Sequence, residues 1–323
     1  MGAASVRDGP RDARPGQKTP EVIQLDFGRV ITALVTPLRA DGAVDVQRAA
    51  ELARHLVAEG SDGFVVCGTT GESPTLSHAE KLGLLVAVRE AVDGRAFVWF
   101  GAGNYDTAAS AALAKEAAAA GAQGILAVVP YYNKPPQEGL YRHFRAIADA
   151  SPLPVMLYNV PSRTSCNLLP ATVARLVAEE PRIAAIKEAS GSLDQASEIR
   201  RLCPAPFRIY SGDDSLTLPM MACGGSGIVS VAAHVAASEI RTMVDRFLGG
   251  DPAGAEAIHR RLMPLFKVLF VTTNPIPVKY ALGACGFPVG GYRLPLCEPS
   301  EAEAAQIRQV LGEVGLRAAA PAV

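Results

Sequence analysis

The sequence predicts a (β/α)8 barrel carrying a small C-terminal helical appendage. Short apolar runs recur at 30–35, 63–67, 96–101, 124–129, 154–158, 183–187, 207–211 and 227–231. Amphipathic or alanine-rich stretches separate them, such as Val46 to Glu59, Ala108 to Ala120 and Leu169 to Ala178. Runs of this kind suit strands buried on both faces, as in a parallel sheet covered by helices. Strand–helix alternation with right-handed crossovers closes into a barrel at eight units. A doubly wound open sheet shares the alternation, but the count of eight favours the barrel.

The elements carry local signals in turn. Ser77-His78-Ala79-Glu80 has the form of a capping box, which starts a helix at His78. Pro170 suits the first turn of the helix after the fifth strand. Residues 236–248 read as the last barrel helix, and from Asp251 onward helical pattern continues without strands. The organisation expected is a barrel over 26–250 and a helical region over 251–323, a place where oligomer contacts often form. Residues 1–25 read as a disordered tail: Met1 to Pro20 is rich in Gly, Pro, Arg and Asp and has no apolar core of a secretory signal.

Composition excludes several classes. The 323 residues are 49% hydrophobic with a formal net charge of -1, enough for a sizeable core without disulfides or metals. A near-neutral balance gives no electrostatic footprint for nucleic acid or an acidic membrane. No uninterrupted apolar run reaches the roughly 18 residues of a membrane span. Cys67, Cys166, Cys203, Cys223, Cys285 and Cys297 show no CxxC spacing, and the five histidines form no i, i+4 ligand pair. A reducing cytoplasm is expected and a zinc site is not. His143 reads as an ordinary helix residue.

The chemistry converges where barrels keep it, at strand C-termini. Ile183-Ala184-Ala185-Ile186 delivers Lys187 into a low-dielectric setting that disfavours an ammonium, and the neutral amine is a nucleophile. A strand-end lysine snorkelling to solvent is the plainer reading of that segment alone. Its company decides the matter. Gly68-Thr69-Thr70-Gly71-Glu72-Ser73 follows the second strand, a tight turn whose N–H groups could cradle a carboxylate. It lacks the Gly-Lys-Ser/Thr of a phosphate loop. Gly101-Ala102-Gly103-Asn104 lacks the third glycine of a dinucleotide fingerprint, so no nicotinamide cofactor is supported. Tyr131-Tyr132-Asn133 follows the fourth strand. Tyr158 ends the fifth, with Arg163 five residues on as a carboxylate clamp. Ser211-Gly212-Asp213-Asp214 ends the seventh and Gly227-Ile228-Val229-Ser230 forms the eighth. A lysine, tyrosines, paired threonines and an arginine on one face make a Schiff-base aldolase kit. The imine is the electron sink, so neither metal nor cofactor is expected.

These segments, with Ile186-Lys-Glu-Ala189 and Asn274-Pro-Ile-Pro-Val-Lys279, resemble the dihydrodipicolinate synthase and N-acetylneuraminate lyase superfamily across about residues 28–300. Arg163 directs the resemblance to the branch that condenses pyruvate with aspartate semialdehyde on the way to lysine and diaminopimelate. The resemblance implies that Lys187 forms the imine, that Thr69 and Thr70 hold the pyruvate carboxylate, and that Thr70 relays protons with Tyr158 and Tyr132. It further implies that Tyr132 reaches into a neighbouring subunit's site, in a dimer or a dimer of dimers. Arg163 would hold the semialdehyde carboxylate, and Gly212, Asp213 and Val229 would line the pocket. Some relatives bind lysine as an inhibitor near positions matching Ser73, His78 and Tyr131. Where those relatives carry Asn and Glu, this chain has Tyr105 and Ala109, which implies weak or absent feedback. A lyase for a sugar acid and a non-catalytic keto-acid-binding barrel remain as alternatives.

Overall fold

Residues 26–316 are described by the structure, a computed structural model. All eight apolar runs form strands: β1 (Val30–Ala33), β2 (Gly63–Val66), β3 (Phe97–Gly101), β4 (Gly124–Val128), β5 (Val155–Asn159), β6 (Ile183–Glu188), β7 (Arg208–Ser211) and β8 (Gly227–Ser230). Each pairs in parallel with the next, and β1 pairs with β8, so the sheet is a closed barrel. That closure rules out the open-sheet alternative. The interleaved helices are α1 (Val46–Ala58), α2 (His78–Val92), α3 (Thr107–Ala119), α4 (Gln137–Asp149), α5 (Pro161–Thr164), α6 (Pro170–Glu179), α7 (Leu193–Leu202), α8 (Thr217–Ala222) and α9 (Ala233–Leu248). Then α10 (Pro252–Val268), α11 (Ile276–Ala284) and α12 (Glu301–Glu313) follow, with no further strand among the described residues. The tail expected over 1–25 lies outside the described residues.

Alternation along each strand builds two cores. Ile31, Val65, Trp99, Leu126, Met156, Ala185, Tyr210 and Val229 point into the barrel and form one cluster. Their neighbours Val30, Phe64, Val98, Ile125, Leu157, Ile186, Ile209 and Ile228 pack outward against the helices in a second, larger one. The interior is filled rather than open. Trp99 lies opposite Gly124 in the register, where a Cβ would come within 2.5 Å of the indole ring. Phe27 closes the lower end, its ring edge-on to Trp99 at 4.8 Å.

The helix signals correspond to observed caps. Ser77 and Glu80 exchange both hydrogen bonds of a capping box at the start of α2, and Pro170 opens α6. The last barrel helix begins at Ala233 and is broken at Ala236, with φ -142° and ψ 31°, so the start read from the sequence falls on the break and misses the turn before it. No described helix is long and apolar enough to cross a membrane.

Candidate active site

Strand β6 turns Lys187 into the barrel, two residues beyond inward-facing Ala185. It is 5% exposed. In the register it stands between Tyr158 of β5 and Tyr210 of β7. Its Nζ lies 4.5 Å from the centroid of the Tyr158 ring. Gly212 leaves room for it: a Cβ there would sit 3.1 Å from Lys187 Cε and 2.6 Å from Ala189 Cβ.

The next residue, Glu188, points the other way and is fully buried. Its carboxylate accepts from Asn159 Nδ2 at 3.1 Å, Gln195 Nε2 at 3.0 Å and the Ser190 N–H at 2.6 Å. Because Asn159 and Glu188 follow Tyr158 and Lys187 in adjacent register, this network fixes the strand ends that carry those two side chains. The sequence alone assigns neither a role, although two polar residues closing apolar runs are a signal.

A cavity of about 430 Å³ opens beside this pair, lined by Thr69, Ser73, Lys81, Tyr105, Tyr131, Tyr158 and Arg163 among others. Lys187 is not in its wall; Tyr158, whose ring it faces, is. A larger cleft of about 790 Å³ lies by α11 and α12, and none of the site residues expected from sequence lines it.

The turn after β2 leaves two of its N–H groups without a partner. The N–H groups of Gly71, Glu72 and Ser73 bond to carbonyls within the turn at 3.1, 3.1 and 3.4 Å. Those of Thr69 and Thr70 have no protein acceptor among the described residues. The two threonines divide: Thr69 borders the cavity, whereas Thr70 is buried and its Oγ1 accepts from Asn274 Nδ2 at 2.9 Å. Glu72, in the left-handed region at φ 54°, is clamped by Lys279, whose Nζ donates to Oε1 at 2.7 Å and to the Thr36 carbonyl at 3.1 Å.

The remaining expected residues separate by position. Arg163, on α5, lines the cavity and makes no ion pair among the described residues. Tyr131 packs edge-on to Tyr105 with centroids 5.3 Å apart, and burial pushes its phenol pKa up. Tyr132 is 91% exposed at φ 74° and stands outside this cavity. Asp213 caps a turn, accepting from Ser215 N and Oγ at 2.9 and 2.8 Å. Val229 is in the interior cluster and not in the cavity wall. Ser73 borders the cavity, but exposed His78 instead pairs with Glu116. One turn beyond His78, Lys81 lines the cavity in its place, and burial lowers its pKa.

Asp214, beside Asp213, is buried and accepts from Ser230 Oγ and from the N–H groups of Val231 and Ala232, the latter two at 3.1 Å. Barrels often bind phosphate at this place after the eighth strand; here a carboxylate of the chain fills it.

A model of the dihydrodipicolinate synthetase family matches residues 26–314. The chain is 59% identical over 292 residues to a 4-hydroxy-tetrahydrodipicolinate synthase of Thermosynechococcus vestitus, covering 90% of this chain and 98% of the relative. It is 56% identical over 292 residues to the protein of that name from Moorella thermoacetica, covering 90% and 100%. A crystal structure of the Cyanidioschyzon merolae enzyme with lysine bound superposes with a TM-score of 0.88 at 49% identity, covering 90% of this chain and 99% of that one. A dihydrodipicolinate synthase structure from Thermotoga maritima gives 0.87 at 40% identity, covering 90% and 99%.

Proposed function

The chain belongs to the dihydrodipicolinate synthetase family, and from that premise we infer how its barrel carries out the family's condensation. The reaction joins pyruvate to L-aspartate 4-semialdehyde and yields 4-hydroxy-tetrahydrodipicolinate, a lyase step toward lysine and diaminopimelate.

Lys187 attacks C2 of pyruvate and expels water, forming an imine. The protonated imine draws electrons from the adjacent methyl group, which loses a proton to give an enamine. The enamine carbon attacks the aldehyde carbon of the second substrate. Ring closure then needs that substrate's amino nitrogen to displace Lys187 from the imine carbon, which frees the enzyme. Each step moves a proton, and Tyr158, whose ring faces Nζ, is the group placed to carry it.

The carboxylates are assigned by the donors available. The free N–H groups of Thr69 and Thr70, with the Thr69 hydroxyl at the cavity and the Thr70 hydroxyl proton that the bond from Asn274 leaves unused, take the pyruvate carboxylate. Arg163, without an ion-pair partner among the described residues, takes that of the semialdehyde. An unpaired guanidinium in the cavity suits an acidic second substrate better than a neutral sugar chain, which weighs against the sugar-acid alternative. Tyr132 completes the relay from a second copy of the chain, since a tyrosine this exposed serves nothing in its own subunit. That role calls for a dimer at least, the resemblance extends it to a dimer of dimers, and neither a nucleic acid nor a membrane partner belongs to this reading. Cytoplasmic location is in keeping with six free cysteines.

The observation that carries this reading is the buried Lys187 amine held against the Tyr158 ring. Borohydride reduction in the presence of pyruvate, followed by peptide mass mapping, should place a reduced adduct on Lys187. A coupled assay with both substrates should give turnover. Trapping without turnover would favour another pyruvate lyase, and no adduct would leave a non-catalytic barrel.

A further inference from the structure

The C-terminal region meets the barrel mouth at a buried polar contact. Asn274, just ahead of α11, is 5% exposed. Its Nδ2 donates to Thr70 Oγ1 at 2.9 Å, across 204 positions of sequence, and its Oδ1 has no partner. As placed, the amide leaves its carbonyl oxygen and one N–H proton without a partner; turned over, it would leave both protons unpartnered, and a buried unpaired N–H is tolerated less well than an unpaired carbonyl oxygen. The amide therefore donates. A hydroxyl whose oxygen already accepts a hydrogen bond is polarised toward giving up its own proton, and that proton is free to point away from Asn274.

The same segment holds the rest of the turn. Lys279 clamps Glu72 at 2.7 Å. Arg293 donates to the Thr75 carbonyl at 2.8 Å and the Gly42 carbonyl at 2.9 Å. Thr70, Glu72 and Thr75 are thus all tied down by residues 274–293, so the loop bearing the anion cradle takes its shape from the end of the chain.

We propose that Asn274 is a positioning residue of the pyruvate subsite, fixing the Thr70 hydroxyl as a donor to the keto-acid carboxylate. The helical region after the barrel is then part of the substrate-binding apparatus. A carboxylate only accepts hydrogen bonds, so a Thr70 hydroxyl turned to donate elsewhere is lost to it. The proposal rests on the assignment of pyruvate to Lys187, which borohydride trapping of the wild-type protein tests separately.

The test is a cycle of Asn274→Ala, Asn274→Asp, Thr70→Val and the Asn274→Ala/Thr70→Val pair. Steady-state kinetics are run in both substrates, and folding is checked by circular dichroism. The carboxylate introduced by Asn274→Asp cannot donate while ionised and instead captures the Thr70 proton. Each single variant should raise KM for pyruvate about tenfold or more, the size of one hydrogen bond to a charged group. The KM for the semialdehyde should stay within about twofold of the wild-type value. As pH falls and the introduced carboxyl protonates, it can donate again, so Asn274→Asp alone should recover pyruvate affinity. The double variant should be no worse than Thr70→Val, because Asn274 acts through that hydroxyl. An unchanged pyruvate KM in the Asn274 variants, or effects that multiply in the double variant, would overturn the proposal. Should the Asn274 variants fail to fold, Thr70→Val decides alone: an unchanged pyruvate KM there removes the donor the proposal requires.

Discussion

Tyr158 and Lys187 are register partners on adjacent parallel strands, and the lysine amine faces the tyrosine ring at 4.5 Å from its centroid. The ring packs against the amine, the phenol is the group proposed to move protons, and one substitution separates the two. Tyr158→Phe keeps the packing and deletes the hydroxyl. Turnover in the coupled assay should fall about 10²–10⁴-fold, while borohydride still traps pyruvate on Lys187. Lys187→Arg, which keeps the charge and removes the nucleophile, should lose both readouts with the fold intact. Near-normal turnover in Tyr158→Phe would remove the phenol from the mechanism.

Gly212 is required for space and not for backbone conformation, since its φ lies outside the left-handed region. A methyl group there meets Ala189 Cβ at 2.6 Å and Lys187 Cε at 3.1 Å. Of these, the lysine stem is the part free to move. Gly212→Ala should therefore cost about 1–3 kcal/mol of stability and slow imine formation by at least about tenfold through misplacement of Nζ. Pre-steady-state trapping with pyruvate measures the second effect. A variant that is destabilised but forms the imine at the normal rate would show that Lys187 does not give way.

The Lys279–Glu72 pair is buried at both ends, with side-chain exposures of 0% and 2%. Burial lowers the Lys279 pKa, and the Glu72 carboxylate pulls it back up. Lys279→Met leaves a buried carboxylate without its cation and should cost about 3–5 kcal/mol in denaturant unfolding. Adding Glu72→Gln removes the orphan charge and should restore much of that loss. A double variant as unstable as the single one would mean that the lysine stem, not the charge, is what matters.

Two buried histidines set a pH limit on stability. Burial pushes His234 and His143 down to about 4 from an ordinary 6.5. His234 is neutral by construction, its Nδ1 donating to the Val231 carbonyl at 2.8 Å and its Nε2 accepting from the Val35 N–H at 3.1 Å. The unfolded chain binds these protons more readily, so stability is full above about pH 6.5 and is lost as pH falls toward 4. Each contributes on the order of 3 kcal/mol at the acid end. Asp214, raised by burial, acts in the opposite sense and blunts the fall. Melting temperature against pH should therefore decline between 6.5 and 4, and His234→Gln, which cannot titrate, should flatten that slope. A slope unchanged by the substitution would place the acid sensitivity elsewhere.

How much of this was readable in the chain follows from contact range. Strands buried on both faces read as unbroken apolar runs, so all eight were visible, and Lys187 stood out as the charge closing one of them. Thr69 and Thr70 are adjacent, and only the folded turn sends one to the cavity and the other to Asn274. Asn274 itself was part of a recognised motif but had no visible role, because its partner is 204 positions away. Lys81 was hidden for a different reason: it sits one turn past His78 on α2, and the direction of the helix decides which of the two meets the cavity.

That exchange of His78 for Lys81 sharpens the expectation about feedback. An amino-acid effector with a side-chain ammonium needs a carboxylate nearby. The positions that the resemblance marks for such a group hold Tyr105 and Ala109, and Glu116 is engaged by His78. The cavity wall instead supplies Lys81, an ammonium already disfavoured by burial. Bringing a second ammonium to within 4 Å costs about 1–4 kcal/mol over the dielectric range of a protein surface. Free lysine should therefore inhibit weakly or not at all, and half-maximal inhibition at submillimolar lysine would contradict this. Lys81→Glu reverses the local charge and should lower the half-inhibitory concentration at least about tenfold, since one such pair at a partly buried site carries more than the roughly 1.4 kcal/mol that a factor of ten requires. If Lys81→Glu leaves the inhibition curve unmoved while Ser73 and Tyr131 variants shift it, the effector binds that wall without sensing the charge on α2.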